Sequence, residues 1–425
     1  METMTPRIIE LVRILSDSVT EVQAALSKKN HPSPSFDEDT PASIPPDLSD
    51  LQDKILDASA ELHDLFLQPI NLIYKYGSHN NTVCLQAISR FDIANLVPAR
   101  GQISFDDIAK TTGLGPVMTR RMLRYAMTMR VFQEPEPDMV AHTKASKALT
   151  DIDASNWLKG GCEEMWPTAL KIVNTVTKWP DSQSPKQLAL ALANNGGGGF
   201  YDIIANDVAR AVRFSGTMKT FANSPAYNPK FIVEHYDWGS LGPNAHIVDM
   251  GGARGHIAIA ITGRFPGLRA TVQDLGHVIK GAEKEVPPGL RGRVVFMEHN
   301  LFQPQPVQGA DVYYVRWVLH NWSDENAINL LRALVPVLKK GSRVVINETC
   351  MPEPRKIPLW RERNLRSADL NMGAIFNARE RTVTEWKALI TEADTRFLLK
   401  QVIQPKGSAL AIMEVLWDGN AEAGA

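Results

Sequence analysis

Residues 248–256 read VDMGGARGH, a glycine-rich turn directly after the apolar run AHIV. A short apolar run, then glycines, then helix-forming residues predict a strand–turn–helix unit. Its backbone N–H groups and positive helix end face a ligand. Asp274 follows nineteen residues after Gly255, at the end of the run LRATVQDL, where an acid suits the two hydroxyls of a ribose. Both a dinucleotide and S-adenosylmethionine meet that description. Asp249 stands immediately before the glycines and would repel a pyrophosphate, yet it suits a cationic amino-acid end. The GxGxxG spacing is also absent from GGARG. The turn therefore favours S-adenosylmethionine.

Downstream, strand-like runs alternate with helical stretches: HIVDM, a helix near 256–264, LRATVQDL, RVVFMEH, ADVYYVRWVL, a helix over 324–338, SRVVINE and finally ALAIMEVLW. This alternation predicts an α/β core with a doubly wound, Rossmann-like parallel sheet. Upstream, apolar residues at helical spacing predict an amphipathic helix over 7–27, and five prolines in 28–50 predict a flexible linker or surface loop. Residues 103–134 read as helix, turn, helix and a short strand, with VAHTKAS (140–146) as the second strand of a wing. A winged helix binds DNA or serves packing and dimerisation. Asp106, Asp107, Glu134 and Glu136 surround Arg120, Arg121 and Arg124, which favours dimerisation. Four successive glycines at 196–199 cannot hold a helix, so a mobile loop is expected there. The expected division is 1–50 helix and linker, 51–150 winged helix, 151–240 helical connecting and substrate region, and 241–425 cofactor-binding core.

Lys and Arg number 46 against 47 Asp and Glu over 425 residues, so bulk charge argues for neither nucleic acid nor an anionic membrane. Cys84, Cys162 and Cys350 are far apart in sequence, which suggests free thiols rather than disulfides or a zinc site. No signal-peptide core or membrane-length apolar run is seen, so a cytoplasmic protein without a metal centre is expected.

The block RWVLHNWSDE (316–325), taken with VDMGGARGH and NARERT (377–382), resembles the plant and fungal small-molecule O-methyltransferases, the class of caffeate and flavonoid methyltransferases. The fungal natural-product branch is the most similar, and the resemblance runs from about residue 55 onward. It implies a winged-helix dimerisation domain, a homodimer, S-adenosylmethionine as cofactor and a small aromatic or polyketide substrate. It further implies His320 as general base, with Glu348 and Glu380 holding that histidine. Cofactor contacts would fall to Asp249, Gly251, Gly252 and Gly255 in the turn and to Asp274 and Leu275 after the next strand. Asn300, Leu301, Arg316 and Trp322 would complete them. Phe214, Met218, Trp317, Met372 and Phe376 would line the substrate.

The residue types suit the chemistry. A phenol titrates near ~10 and is a poor nucleophile at neutral pH, whereas an imidazole near ~6.5 can take its proton. A carboxylate behind the ring fixes the tautomer. On its own, His320 would read as a capping or buried structural residue, but the end of a strand is where α/β sites form. Three positions depart from the family pattern: Ala253 replaces a glycine, Asn321 an Asp after the base, and Asn300 an Asp near the adenine. Arg254 adds a cation. Together they make the site less negative. Two alternatives stay open: a related enzyme using the cofactor's charge for dehydration or pericyclic closure, and a non-catalytic winged-helix regulator or scaffold.

Overall fold

The computed structural model describes residues 5–196 and 198–419, and the chain divides into two compact units. The first comprises Met1–Leu170, Ile204–Thr220 and Pro354–Asn364; the second comprises Lys171–Ile203, Phe221–Glu353 and Leu365–Ala425. The expected segments 1–50 and 51–150 both fall in the first unit, whereas 151–240 and 241–425 each contribute to both units. Contacts far apart in sequence cause this. In the first unit the Asp57 carboxylate accepts the N–H groups of Leu359 and Trp360 at 2.7 and 3.0 Å, capping the helix Leu359–Phe376. Asp53 takes Trp360 Nε1 and Arg361 Nε at 2.9 and 2.8 Å. Gly216 lets the helix Val208–Asn223 approach Asn156, where an added Cβ would lie only 2.6 Å from the asparagine.

The amphipathic helix is Arg7–Lys28, with Leu11, Val22 and Leu26 buried, and it packs along Ser49–Leu65. Of the expected loop 28–50, residues 29–45 form a loop held at its middle, and a single turn, Pro46–Leu48, leads into the next helix. Lys144 N–H donates to Phe36 O at 2.9 Å, and the Arg130 guanidinium lies over the Phe36 ring. In the winged helix, Ser104 caps Phe105–Thr112 and Gly113, at φ +74°, ends it, as a helix-terminating glycine should. The expected strand around 131–134 reduces to one bridge, Gln133 to Ala141. Left-handed φ at Arg130 and Phe132 prevents a longer one. Met139–Ala141 pairs instead with Gln102–Ser104. On the helix Pro116–Thr128, Arg120 bonds Asp138 and Asp106, and Arg124 forks onto Glu134. Two of the three arginines that DNA would need are therefore answered by carboxylates, which fits the packing role.

The second unit holds a seven-stranded sheet: β1 (His246–Met250), β2 (Arg269–Asp274), β3 (Val294–Glu298), β4 (Val312–Arg316), β5 (Arg343–Glu348), β6 (Phe397–Ile403) and β7 (Ala411–Trp417). Its order is β6-β7-β5-β4-β1-β2-β3. β1 to β5 pair in parallel, but β7 is antiparallel to both β5 and β6. The sheet is therefore mixed rather than wholly parallel. Phe397–Ile403 supplies a strand missing from the sequence reading, because Lys400 and Gln401 break its apolar run where this edge strand shifts register against β7. Apolar layers cover both faces, and neighbouring Tyr313 and Tyr314 enter opposite layers, as period-two alternation requires. The helix expected over 324–338 stops at Arg332; Pro336 then confines the chain to a short turn over Val335–Val337. Among the described residues no helix is long and apolar enough to cross a membrane.

Candidate active site

In the parallel part of this sheet the carboxyl ends of β1, β2, β4 and β5 lie side by side, and each delivers one part of the site. After β1 the chain turns through Gly251 and Gly255, both at φ +75°. Gly251 N–H and Gly252 N–H donate to Gln273 O at 2.8 and 3.2 Å. There is no room for side chains here. A Cβ at Gly251 would sit 2.7 Å from Val318 Cγ2, and one at Gly252 would sit 2.6 Å from the Asp249 carboxyl. At the end of β2, Asp274 fastens the turn by accepting Ala253 N–H at 3.0 Å and Leu275 N–H at 2.8 Å.

Ala253 itself sits at φ +48°, which explains why a glycine suits this position. Ala253→Gly is expected to stabilise the protein by about 0.5–1 kcal/mol, the ~1–2 kcal/mol of left-handed strain relieved less the ~0.5–1 of added chain entropy. A urea midpoint that falls would contradict this.

The other departures have local explanations. Arg254 pairs with Glu285 and donates to Lys280 O at 2.9 Å, so its charge is met on the protein. Asn321 Nδ2 donates to Trp317 O at 3.2 Å, a bond that an aspartate could not make. Asn300 Oδ1 accepts Phe302 N–H at 3.1 Å; this local turn sets Leu301 near the Gly251 backbone and Phe302 edge-on to Trp322, centroids 4.6 Å apart.

Asp249 is 2% exposed and its Oδ2 has no partner. Burial, reinforced by Asp274 and opposed by Arg316, pushes its carboxyl up to about 7. A buried, unanswered acceptor beside the bare backbone of Gly251 and Gly252 is what a ligand bearing hydrogen-bond donors and positive charge would complete. These residues fit S-adenosylmethionine. Arg316 is otherwise engaged, donating to Asn347 Oδ1 and Tyr227 O at 2.7 Å each.

His320 lies on the single turn Leu319–Asn321 just after β4. Trp317, at φ +55°, redirects the chain into that turn and packs on the Tyr227 ring at 4.7 Å. His320 Nδ1 meets Glu380 Oε1 at 2.8 Å, both side chains being nearly enclosed. Glu348 does not bond the imidazole. Its Oε1 accepts Val318 N–H and Leu319 N–H at 2.8 and 2.9 Å, fixing the backbone that carries the ring. Of the two carboxylates expected to hold the histidine, Glu380 bonds the ring and Glu348 the turn that carries it. A carboxylate accepts the Nδ1 proton, which leaves Nε2 as the basic atom, a tautomer inferred from the bonding. Burial opposes the imidazolium, but the Glu348 charge and the Glu380 bond outweigh it, and His320 titrates above its ordinary value.

Of the residues expected to line substrate, Trp317, Met372 and Phe376 belong to the second unit, whereas Phe214 and Met218 stand on Val208–Asn223 within the first. Phe376 joins an aromatic group that sequence reasoning missed. Tyr201 lies 6.3 Å from Trp322 at 29° and 5.8 Å from Phe376, and Phe200 meets Phe376 at 5.1 Å. The only signal was an aromatic pair directly after the glycine run. Within that run Gly196 and Gly198 have positive φ; Gly197, part of the expected mobile loop, lies outside the described residues.

A Rossmann-like sheet with a glycine-rich turn after β1, an acid ending β2 and a His–Glu pair beyond β4 defines an S-adenosylmethionine-dependent methyltransferase. Residues 191–396 match the O-methyltransferase domain and residues 77–151 the O-methyltransferase dimerisation domain. The chain is 43% identical to O-methyltransferase PaMT of Phomopsis amygdali, over 97% of each chain. The chain belongs to the O-methyltransferase family. Among solved structures, OxaC superposes with a TM-score of 0.75 at 21% identity, covering 96% of this chain and 100% of that one. A protein described as a pericyclic reaction enzyme superposes at 0.73, also at 21% identity over 96% and 100%. At such identity the likeness is one of fold.

Proposed function

We propose that this protein methylates a phenolic or enolic hydroxyl of a small aromatic or polyketide-type molecule, with His320 as general base. The 2.8 Å contact of His320 Nδ1 with Glu380 carries this reading. S-adenosylmethionine, when bound, supplies an electrophilic methyl group on a positively charged sulfur. The protein's residues do the rest. Asp249 and the Gly251–Gly252 backbone hold the donor's polar end, and Asp274 receives hydroxyl groups. Nε2 of His320 takes the acceptor's proton as its oxygen attacks, while Glu380 steadies the imidazolium that forms. Trp317, Trp322, Phe376 and Tyr201 provide apolar walls that keep water from the reacting oxygen.

The cofactor-assisted pericyclic alternative shares this fold, so fold cannot separate the two. A base with its orienting carboxylate is needed for proton removal and favours methyl transfer. The dimerisation-domain match supports a homodimer, as does the helix Pro69–Gly77, which exposes Ile70, Ile73 and Tyr74 at 64–68%. Three free cysteines suit the reducing cytoplasm. The test is incubation with methyl-labelled S-adenosylmethionine and a panel of phenols and enols. Label should appear on oxygen in at least one product. Cofactor binding with no label transfer to any of them would overturn the proposal.

A further inference from the structure

Arg381 is fully enclosed, yet it is not simply paired with an acid. Its Nε donates to Asp324 Oδ1 at 2.8 Å, its Nη1 to Leu319 O at 3.1 Å and its Nη2 to Trp322 O at 2.8 Å. Its guanidinium lies over the Trp386 ring, 5.1 Å from the centroid. The two carbonyls bracket His320 in sequence. A buried cation needs a counter-charge, and Asp324, itself braced by Arg379, provides one. That need does not explain the bonds to the turn.

We infer that Arg381 is a positioning residue that fastens the carbonyl side of the His320 turn while Glu348 fastens its amide side. The inference rests on the reading of His320 as general base. Only a planar fork reaches two carbonyls and a carboxylate together; a lysine ammonium would keep the charge and lose part of this geometry. Neighbouring residues divide the work: Glu380 orients the ring and Arg381 the backbone beneath it. Asp369 Oδ1 in turn accepts Glu380 N–H at 2.7 Å. The charges acting on the imidazole are Glu348 from β5 and Glu380 and Arg381 from the NARERT segment, with Arg381 the one opposing protonation.

The experiment compares Arg381→Lys, Arg381→Met and Asp324→Asn in the full-length protein. Per folded molecule, kcat should fall about tenfold to a hundredfold in the Arg381 variants, as for a misplaced base, with little change in KM for S-adenosylmethionine. The acidic limb of the kcat profile should move to higher pH in Arg381→Met and stay in place in Arg381→Lys. Asp324→Asn should lower kcat in the same direction, and it decides the matter if the buried substitutions fail to fold. Histidine 15N NMR, with the His320 signal assigned by its loss in His320→Gln, should show an altered Nδ1 environment in Arg381→Lys or Asp324→Asn. A reduced melting temperature with unchanged kcat, limb and His320 signal would overturn the inference and leave Arg381 a structural residue. Full activity in His320→Gln would instead overturn the base reading; the NMR comparison then still decides whether Arg381 sets the ring.

Discussion

His320→Gln is expected to lower kcat by about 10²–10⁴-fold, the range for loss of a positioned general base and equivalent to about 3–5 kcal/mol of barrier. Cofactor affinity should change little, because the ring bonds Glu380 and its carrying turn is anchored by Glu348. Glutamine keeps a group of similar reach but has no basic nitrogen. The pH dependence makes the prediction sharper. The imidazole accepts a proton only when neutral, and its pKa is raised because the Glu348 charge and the Glu380 bond outweigh burial. Activity should therefore rise with pH through a limb whose midpoint lies above the ordinary ~6.5. Glu380→Gln removes one of those raising influences and should bring the limb to lower pH while reducing kcat. In His320→Gln the limb should vanish. Initial rates at saturating S-adenosylmethionine between pH 5 and 10 measure all of this, and a His320→Gln enzyme retaining a tenth of wild-type kcat would contradict it.

Asp249→Asn should act in opposite directions on stability and binding. The Asp249 carboxyl titrates at about 7 when folded, against about 4 in an unfolded chain. The folded state therefore holds an extra proton between those values, and stability falls as pH rises from about 4 to about 7. Above that the full penalty is present, on the order of 4 kcal/mol for three units. Asparagine carries no charge, so the variant free of cofactor should be more stable than wild type at pH 8, by up to about that amount, and the difference should disappear near pH 4. The same change takes a charged acceptor from the cofactor cradle and should weaken S-adenosylmethionine binding about tenfold or more. Urea unfolding at pH 4, 6 and 8, with and without cofactor, separates the two effects. An Asn variant less stable than wild type at pH 8 would show that Asp249 is answered within the protein.

How far the site could be read beforehand depended on how local each signal is. Asp249, the glycines and Asp274 were legible because β1, the turn and β2 are consecutive, and local backbone rules set their spacing. His320 was legible from its place after an apolar strand and from the RWVLHNWSDE block. Glu380 had no local signature, since an acid in RERT looks like a solvated charge until the fold brings it to the imidazole. Tyr201 was missed for a related reason, as an aromatic pair after glycines does not say which rings it will meet. The edge strand β6 escaped because half-exposed strands lack a continuous apolar run.

By itself, the sequence determined that the second half would be a Rossmann-like core with a methyl-donor turn, because hydrophobic period and glycine placement are short-range properties. Tertiary structure alone decided that Glu380 touches the ring while Glu348 holds the turn, that Glu285 answers Arg254, and that residues 204–220 and 354–364 join the first unit. Each of these rests on side chains meeting across 29 or more positions of chain, and only the packed fold brings them within hydrogen-bond range.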